Sequence, residues 1–367
     1  EMPVLVLQGG GALGAYQAGA YEQLAVNDFR PEWVAGVSIG AINAAIIAGN
    51  AFDDRLDSLT EFWRRVEHGH IFDEALPAQV ASFFRNFTTV VGGLPTFFTP
   101  NPGAFGSVYA TLGAEQAGYY STQPLRTTLS DLIDFDRING GDMRLTVGAS
   151  AVTTSEMHYF DSRDRPLCLD HVMASGALPP AFPAVRIDGE LYWDGGILSN
   201  TPVEVVFDDN PRRDSMVYAV HIWNSHGPEP ETIWDVMNRQ KDVQYASRAG
   251  THIRRQRQLH RLRHVITELT ALLPDGSRAK PGVAELAAYG CPTRMHVIRL
   301  LAPALANEDH SKDIDFSPSG IRQRREAGYA DTMRTLEAAP WRGDFDPLEG
   351  FILHEAIGGH MVEPTCG

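Results

Sequence analysis

Ser38 stands in the run Gly36-Val37-Ser38-Ile39-Gly40. Such a G-x-S-x-G run can hold a serine on a tight strand-to-helix turn, exposed as the nucleophile of acyl transfer. The flanking glycines matter because a strained serine backbone needs tiny neighbours. Upstream, Gly9-Gly10-Gly11-Ala12-Leu13-Gly14 sets three glycines where backbone N–H groups can point into open space at a helix start. That is oxyanion-hole chemistry, expected here from Gly9, Gly10 and Gly11. Far downstream, Asp194-Gly195-Gly196 offers a carboxylate beside two residues that let another backbone come close. Each run alone is also an ordinary turn. Nucleophile, oxyanion loop and base in this order point to a serine acyl-ester hydrolase.

The elements around these residues fit that task. Val4–Leu7 reads as a buried strand, followed at once by the glycines and a helix from about Ala12 to about Val26, with Leu13, Tyr16, Ala20 and Leu24 at helical spacing. Trp33–Val37 reads as a second short strand, and Ala41–Ala48 as an apolar helix ending near Gly49-Asn50. Ser38 therefore sits at a helix N-terminus, where the dipole favours developing negative charge. Asp188-Gly189 is a hairpin turn signal, so Asp194 ends the second strand of that hairpin. The small, apolar, proline-rich stretch Met173–Pro183 suits a pocket wall.

The glycine loop also satisfies G-x-G-x-x-G through Gly9, Gly11 and Gly14, which admits an NAD-binding Rossmann-type oxidoreductase. That reading needs an acid at the end of the second strand, and this strand ends in Gly36-Val37-Ser38. A Ser–acid–His triad is a second alternative, with His354 or His360 as the last member. It fits less well, because the α/β-hydrolase elbow usually follows several strands and its oxyanion loop often opens on His rather than Gln8. A non-catalytic lipid binder would not need both Ser38 and Asp194. His68-Gly69-His70 and His354-Glu355 read as surface or packing histidines, since position 358 is glycine where a zinc helix needs histidine. No metal or organic cofactor is expected.

Taken together, the three motifs and their flanking sequence resemble the patatin-like phospholipase family over roughly residues 4–205. The resemblance implies a three-layer α/β fold with a mainly parallel central sheet, helices on both faces, and a catalytic dyad. Carried over by motif, Ser38 is the nucleophile, Asp194 the general base, and Gly9, Gly10 and Gly11 the oxyanion loop. The family usually carries Arg or Lys in the glycine loop where this chain has Leu13, which tilts the expected substrate towards neutral esters. Ser311-Lys312-Asp313 and the Arg-rich helix after it resemble a bacterial subgroup with a C-terminal helical extension. For a dyad to work, the aspartate must be a better base than in water, and burial raises its pKa. Activity should then fall at acid pH.

Composition bounds the rest. The chain has 367 residues, 43% of them apolar, and a formal net charge of −15. That is enough apolar residue for a sizeable core, and the charge excludes nucleic acid as main partner. Cys168, Cys291 and Cys366 are too few and too scattered for a disulfide framework, which fits a reducing, cytoplasmic setting. No apolar run is long enough to span a membrane, and no signal segment opens the sequence. Residues 1–210 are read as the catalytic core and 211–367 as remaining core strands plus the extension. The core includes an aromatic-rich insertion over about 70–120, with Phe83, Phe84, Phe87, Phe97, Phe98 and Phe105. Phe97–Gly103 is the expected lid, exposing paired aromatics to lipid.

Further strands are expected over Met143–Ala151, Glu156–Phe160, Met216–Trp223 and Met295–Leu301, with helices over about 56–68, Leu125–Ile133, 232–273 and 318–337. Pro340-Trp341 is read as ending the last helix, with a tail after it. The long helix carries Arg254, Arg255, Arg257, Arg261 and Arg263, expected as a solvated or salt-bridged face. Expected partners are a lipid or acyl-ester substrate and a transient membrane or lipid-droplet surface. The substrate range left open runs from phospholipid to simple ester to an intracellular storage polyester of the polyhydroxybutyrate type.

Overall fold

The computed structural model describes residues 1–68, 93–106, 109, 111–305, 308, 310–346, 348–357 and 360–362, with backbone alone at 247–249, 356, 357 and 360–362. Its centre is a ten-stranded sheet. Six strands run parallel and adjacent: β11 (Phe351–Ile357), β10 (Met295–Leu301), β9 (Ser215–His221), β1 (Met2–Leu7), β2 (Trp33–Val37) and β5 (Arg144–Ala151). Antiparallel strands flank them, with β12 (His360–Val362) on β11, and β6 (Met157–Asp161) and β8 (Glu190–Asp194) on β5. β7 (Val185–Ile187) closes the hairpin with β8. A short ribbon of β3 (Thr99–Pro100) and β4 (Tyr120–Ser121) stands apart.

The central strands are apolar on both sides, as a parallel sheet covered by helices requires. On one face Leu5, Leu7, Val34 and Val220 pack with the helices α1 (Ala15–Val26), α2 (Ile39–Ala48) and α3 (Arg55–Val66). On the other, Val4, Val6, Trp33, Ala35 and Val217 meet Val206, Phe207 and Ile253. Ile253 belongs to the long helix α5 (Ile233–Ala271), which is preceded in the chain by α4 (Leu169–Ser175). The last helix, α6 (Pro318–Ala338), lies on α1. The contact is close because Gly19 and Gly328 remove side chains from it. A Cβ at Gly19 would stand 1.8 Å from the Arg325 carbonyl oxygen, and one at Gly328 2.0 Å from that of Tyr16.

The expected strands and helices form with small shifts of their ends. The segment after Pro340-Trp341 differs, because it carries β11 and β12 and extends the main sheet through β10. Its parallel partner β10 is distant in sequence, whereas β12 follows directly after Gly358-Gly359, a local hairpin signal in this segment.

One feature of the register builds the site. β6 covers one edge of β5 from Thr146 to Ser150. β2 pairs with Arg144–Gly148 and β8 with Ala149–Ala151, so both lie along the opposite edge, end to end. Val37 is opposite Gly148 and Asp194 opposite the next residue, Ala149. The strand delivering the serine and the strand delivering the aspartate thus run into one another.

Candidate active site

Ser38 caps α2 with φ 56° and ψ −126°, a backbone state that costs a non-glycine residue about 1–3 kcal/mol. The surroundings enforce it. A Cβ at Gly36 would lie 2.3 Å from the Gly40 carbonyl oxygen, and one at Gly40 2.2 Å from that of Leu7. The Ser38 N–H donates to Ser175 Oγ at 2.9 Å, and Ser175 Oγ donates to the Gly148 carbonyl at 2.6 Å. Ser175, fully buried at the end of α4, therefore ties the elbow to β5. The sequence reading placed this residue in a pocket wall without assigning it a task.

Asp194 is buried at 3% exposure. Burial pushes its carboxyl up from 3.8 to about 6, while the hydrogen bonds from the Ser38 hydroxyl and the Gly196 N–H hold it back. The Gly196 bond is 2.7 Å. Backbone bonds fix the residue as well, from Asp194 N–H to the Ala177 carbonyl at 2.9 Å and from Ser150 Oγ to the Asp194 carbonyl at 3.0 Å. The serine and the aspartate expected from the sequence are thus brought together.

The glycine loop comes to the same place, since a Cβ on Gly9 would lie 2.9 Å from Ser38 Cβ. Its three residues are not equivalent. Gly9 N–H donates to the Asn200 carbonyl at 3.1 Å. Gly10 and Gly11 N–H have no acceptor among the described residues. Gly11 has φ 56°, and a Cβ there would meet the Asp313 carbonyl oxygen at 2.2 Å. Gln8 anchors the loop from beneath. Its side chain donates to Thr201 Oγ1 at 2.8 Å and accepts from Ile222 N–H at 2.6 Å and Trp223 N–H at 3.0 Å. The sequence marked Gln8 only as the residue before the glycines.

Ser38, Asp194 and the loop open on a cavity of about 280 Å³ whose wall is mostly apolar. Phe97, Phe98, Phe182 and Phe316 meet there, with ring centroids 5.5 Å apart for Phe98–Phe182 and 5.6 Å for Phe97–Phe316. Phe97 and Phe98 were expected as an exposed pair. They are instead 8% and 7% exposed, turned inward, because the adjoining β3–β4 ribbon carries Tyr120 against Phe98 at 4.9 Å. Phe83, Phe84, Phe87 and His70 lie outside the described residues.

The alternatives find no support in the geometry. His354 lies on β11, four strand spacings from β2, or about 19 Å. It faces His296 across 3.0 Å, and burial followed by repulsion from His296 lowers its pKa to about 4. That pair is packing, not a general base for Ser38. The side chain of His360 lies outside the described residues. The second strand ends in the serine elbow and offers no carboxylate to a nucleotide ribose. Among the described residues no three His, Cys, Asp or Glu side chains gather as a metal site. No helix of those residues is long and apolar enough to cross a membrane.

The family model described as Patatin-like phospholipase matches residues 5–207, more than half of the chain. The chain belongs to the patatin-like phospholipase family. A second model, described as Patatin phospholipase, matches residues 243–348. This patatin-like chain therefore carries family sequence on both sides of β9. No curated protein matches it in sequence. Among solved structures it is similar to VipD from Legionella pneumophila, at 17% identity and a TM-score of 0.39 over 92% of this chain and 67% of that one. It is also similar to the heterodimeric ExoU–SpcU complex of Pseudomonas aeruginosa, at 16% identity and 0.31 over 95% of this chain. There the chain spans 64% of its relative's length.

Proposed function

We propose that this patatin-like protein hydrolyses carboxylic esters of lipids or other acyl compounds through a Ser38–Asp194 dyad. The observation that carries the reading is a buried carboxylate, hydrogen-bonded by an elbow serine, at the polar end of an apolar cavity. Asp194 takes the proton as Ser38 Oγ attacks the ester carbonyl. The tetrahedral oxyanion forms against the Gly10 and Gly11 N–H groups, with Gly9 holding the loop. Collapse expels the alcohol, which takes the proton back from Asp194. Water then attacks the acyl-serine with Asp194 as base again, releasing the acid and free Ser38.

A base of pKa about 6 is matched to neutral pH, since it is ionised there yet accepts a proton more readily than an exposed aspartate. The cavity lies at the small end of ligand pockets, which favours short to medium acyl groups. Contact with a lipid surface belongs to the same proposal. Leu262, Leu269 and Leu272 are exposed on or next to α5, close in sequence to Arg261. The decisive experiment is turnover of a p-nitrophenyl ester series by wild type and Ser38→Ala. Loss of turnover by at least about a thousandfold in the variant is expected. Wild-type rates in Ser38→Ala end the proposal.

A further inference from the structure

The oxyanion loop is held in a way that the dyad mechanism does not by itself require. The Gly9 carbonyl accepts two buried donors, Trp223 Nε1 at 2.7 Å and Asn200 Nδ2 at 2.9 Å. Both lone pairs of that oxygen are therefore occupied. Asn200 also takes the Gly9 N–H on its own backbone carbonyl, so residue 9 is clasped from both ends. The Gly9–Gly10 peptide is trans and planar. Fixing its carbonyl oxygen on one side fixes the Gly10 N–H on the other, and that N–H has no acceptor among the described residues.

The clasp is braced in turn by the C-terminal half of the chain. Tyr245 of α5 stacks on the Trp223 indole at 4.9 Å and 30°. Lys312 Nζ stands 5.5 Å from the same ring and is itself held by Asp242 at 2.6 Å. The next residue, Asp313, lays its carbonyl oxygen against Gly11.

We infer that Trp223 and Asn200 are positioning residues that aim the Gly10 N–H at the oxyanion, with the region around Tyr245 and Lys312–Asp313 bracing them. This rests on the dyad reading of Ser38. A preorganised donor works because nothing needs to reorient as charge develops, and losing one costs about 100- to 1000-fold in rate. Deleting one of two donors to the carbonyl loosens the peptide without removing the Gly10 N–H. A smaller loss of about 10- to 30-fold is therefore expected for Trp223→Phe, and about 100-fold or more for Trp223→Phe combined with Asn200→Leu, which removes the second donor without adding a charge.

The test measures kcat and KM on the preferred p-nitrophenyl ester, with active sites titrated. It also measures inhibition by an alkyl trifluoromethyl ketone, which forms an oxyanion on Ser38, and by the corresponding fatty acid. The inference expects kcat and ketone affinity to fall together while KM and fatty-acid affinity stay within about twofold. Unchanged kcat in Trp223→Phe, or equal losses for both inhibitors, overturns it. If Trp223→Phe folds poorly, β-(3-benzothienyl)alanine at position 223 keeps the indole shape and deletes only the donor. Ser38→Ala measured alongside separates the two failures. An active Ser38→Ala sinks the dyad, whereas a dead Ser38→Ala with an unaffected position 223 sinks only the clasp.

Discussion

At the scale of single residues the site turns on one buried acid. Asp194 titrates near 6 because burial disfavours its charged form more than Ser38 and Gly196 favour it. The proposed dyad needs the ionised form. The kcat/KM profile of the free enzyme should therefore rise through about pH 6 and be flat above it, and a profile flat down to pH 4 removes Asp194 as base. The same shift has a consequence for stability. Below about pH 4 the acid is neutral in both folded and unfolded chains and contributes nothing. Between 4 and 6 the unfolded chain ionises first, so stability is lost as pH rises, fully so above about 6. The rise from 3.8 to about 6 corresponds to roughly 3 kcal/mol at most. Asp194→Asn should thus melt higher than wild type at pH 8, melt equally near pH 4, and be inactive at both. Equal melting temperatures at pH 8 would show that the charge is not under strain.

At the scale of elements, what could be read in advance follows how local each signal is. The elbow, the glycine loop and the Asp188-Gly189 hairpin are short-range patterns, and their strands lie where the residue types place them. The juxtaposition of Ser38 with Asp194 is not local. It depends on β2 and β8 sharing one edge of β5, which no run of residues spells out. Ser175, Asn200 and Trp223 went unassigned for the same reason, since each acts on a backbone atom far away in sequence. For β11 the parallel partner β10 is likewise distant, but the Gly358-Gly359 signal for its pairing with β12 is local and went unused.

The packing of α6 on α1 is another long-range arrangement, and it carries a prediction. Gly328→Ala puts a methyl group into the Tyr16 carbonyl, so the helices must part. Overpacking of this kind costs about 1–3 kcal/mol. A lower melting temperature is expected, with kcat per titrated active site within about twofold of wild type. A variant as stable as wild type would mean that the two helices slide without loss.

At the scale of the whole molecule, the cavity beside Ser38 belongs to no single stretch of chain. Phe97 and Phe98 come from the segment before the β3–β4 ribbon, Phe182 from the loop before β7, and Phe316 from the segment leading into α6. The region matched by the second family model therefore lines the cavity that the first region opens with Ser38. Chain-length preference is then a property of how these parts close on one another. Phe316 stacks on Trp63 at 6.4 Å as well as tilting onto Phe97, so it separates the cavity from the apolar packing beneath α3. Phe316→Ala removes that wall and deepens the cavity without touching Ser38, Asp194 or the loop. The optimum of a p-nitrophenyl ester series should move to a longer acyl chain by several carbons. Turnover of the shortest ester should stay within a few-fold of wild type, because the reacting groups are unmoved. The loss of a buried phenyl ring costs about 3–5 kcal/mol of stability, so the series must be run well below the lowered melting temperature. An unchanged optimum in a folded Phe316→Ala would place the acyl chain elsewhere, and the cavity would no longer support a reading of substrate length.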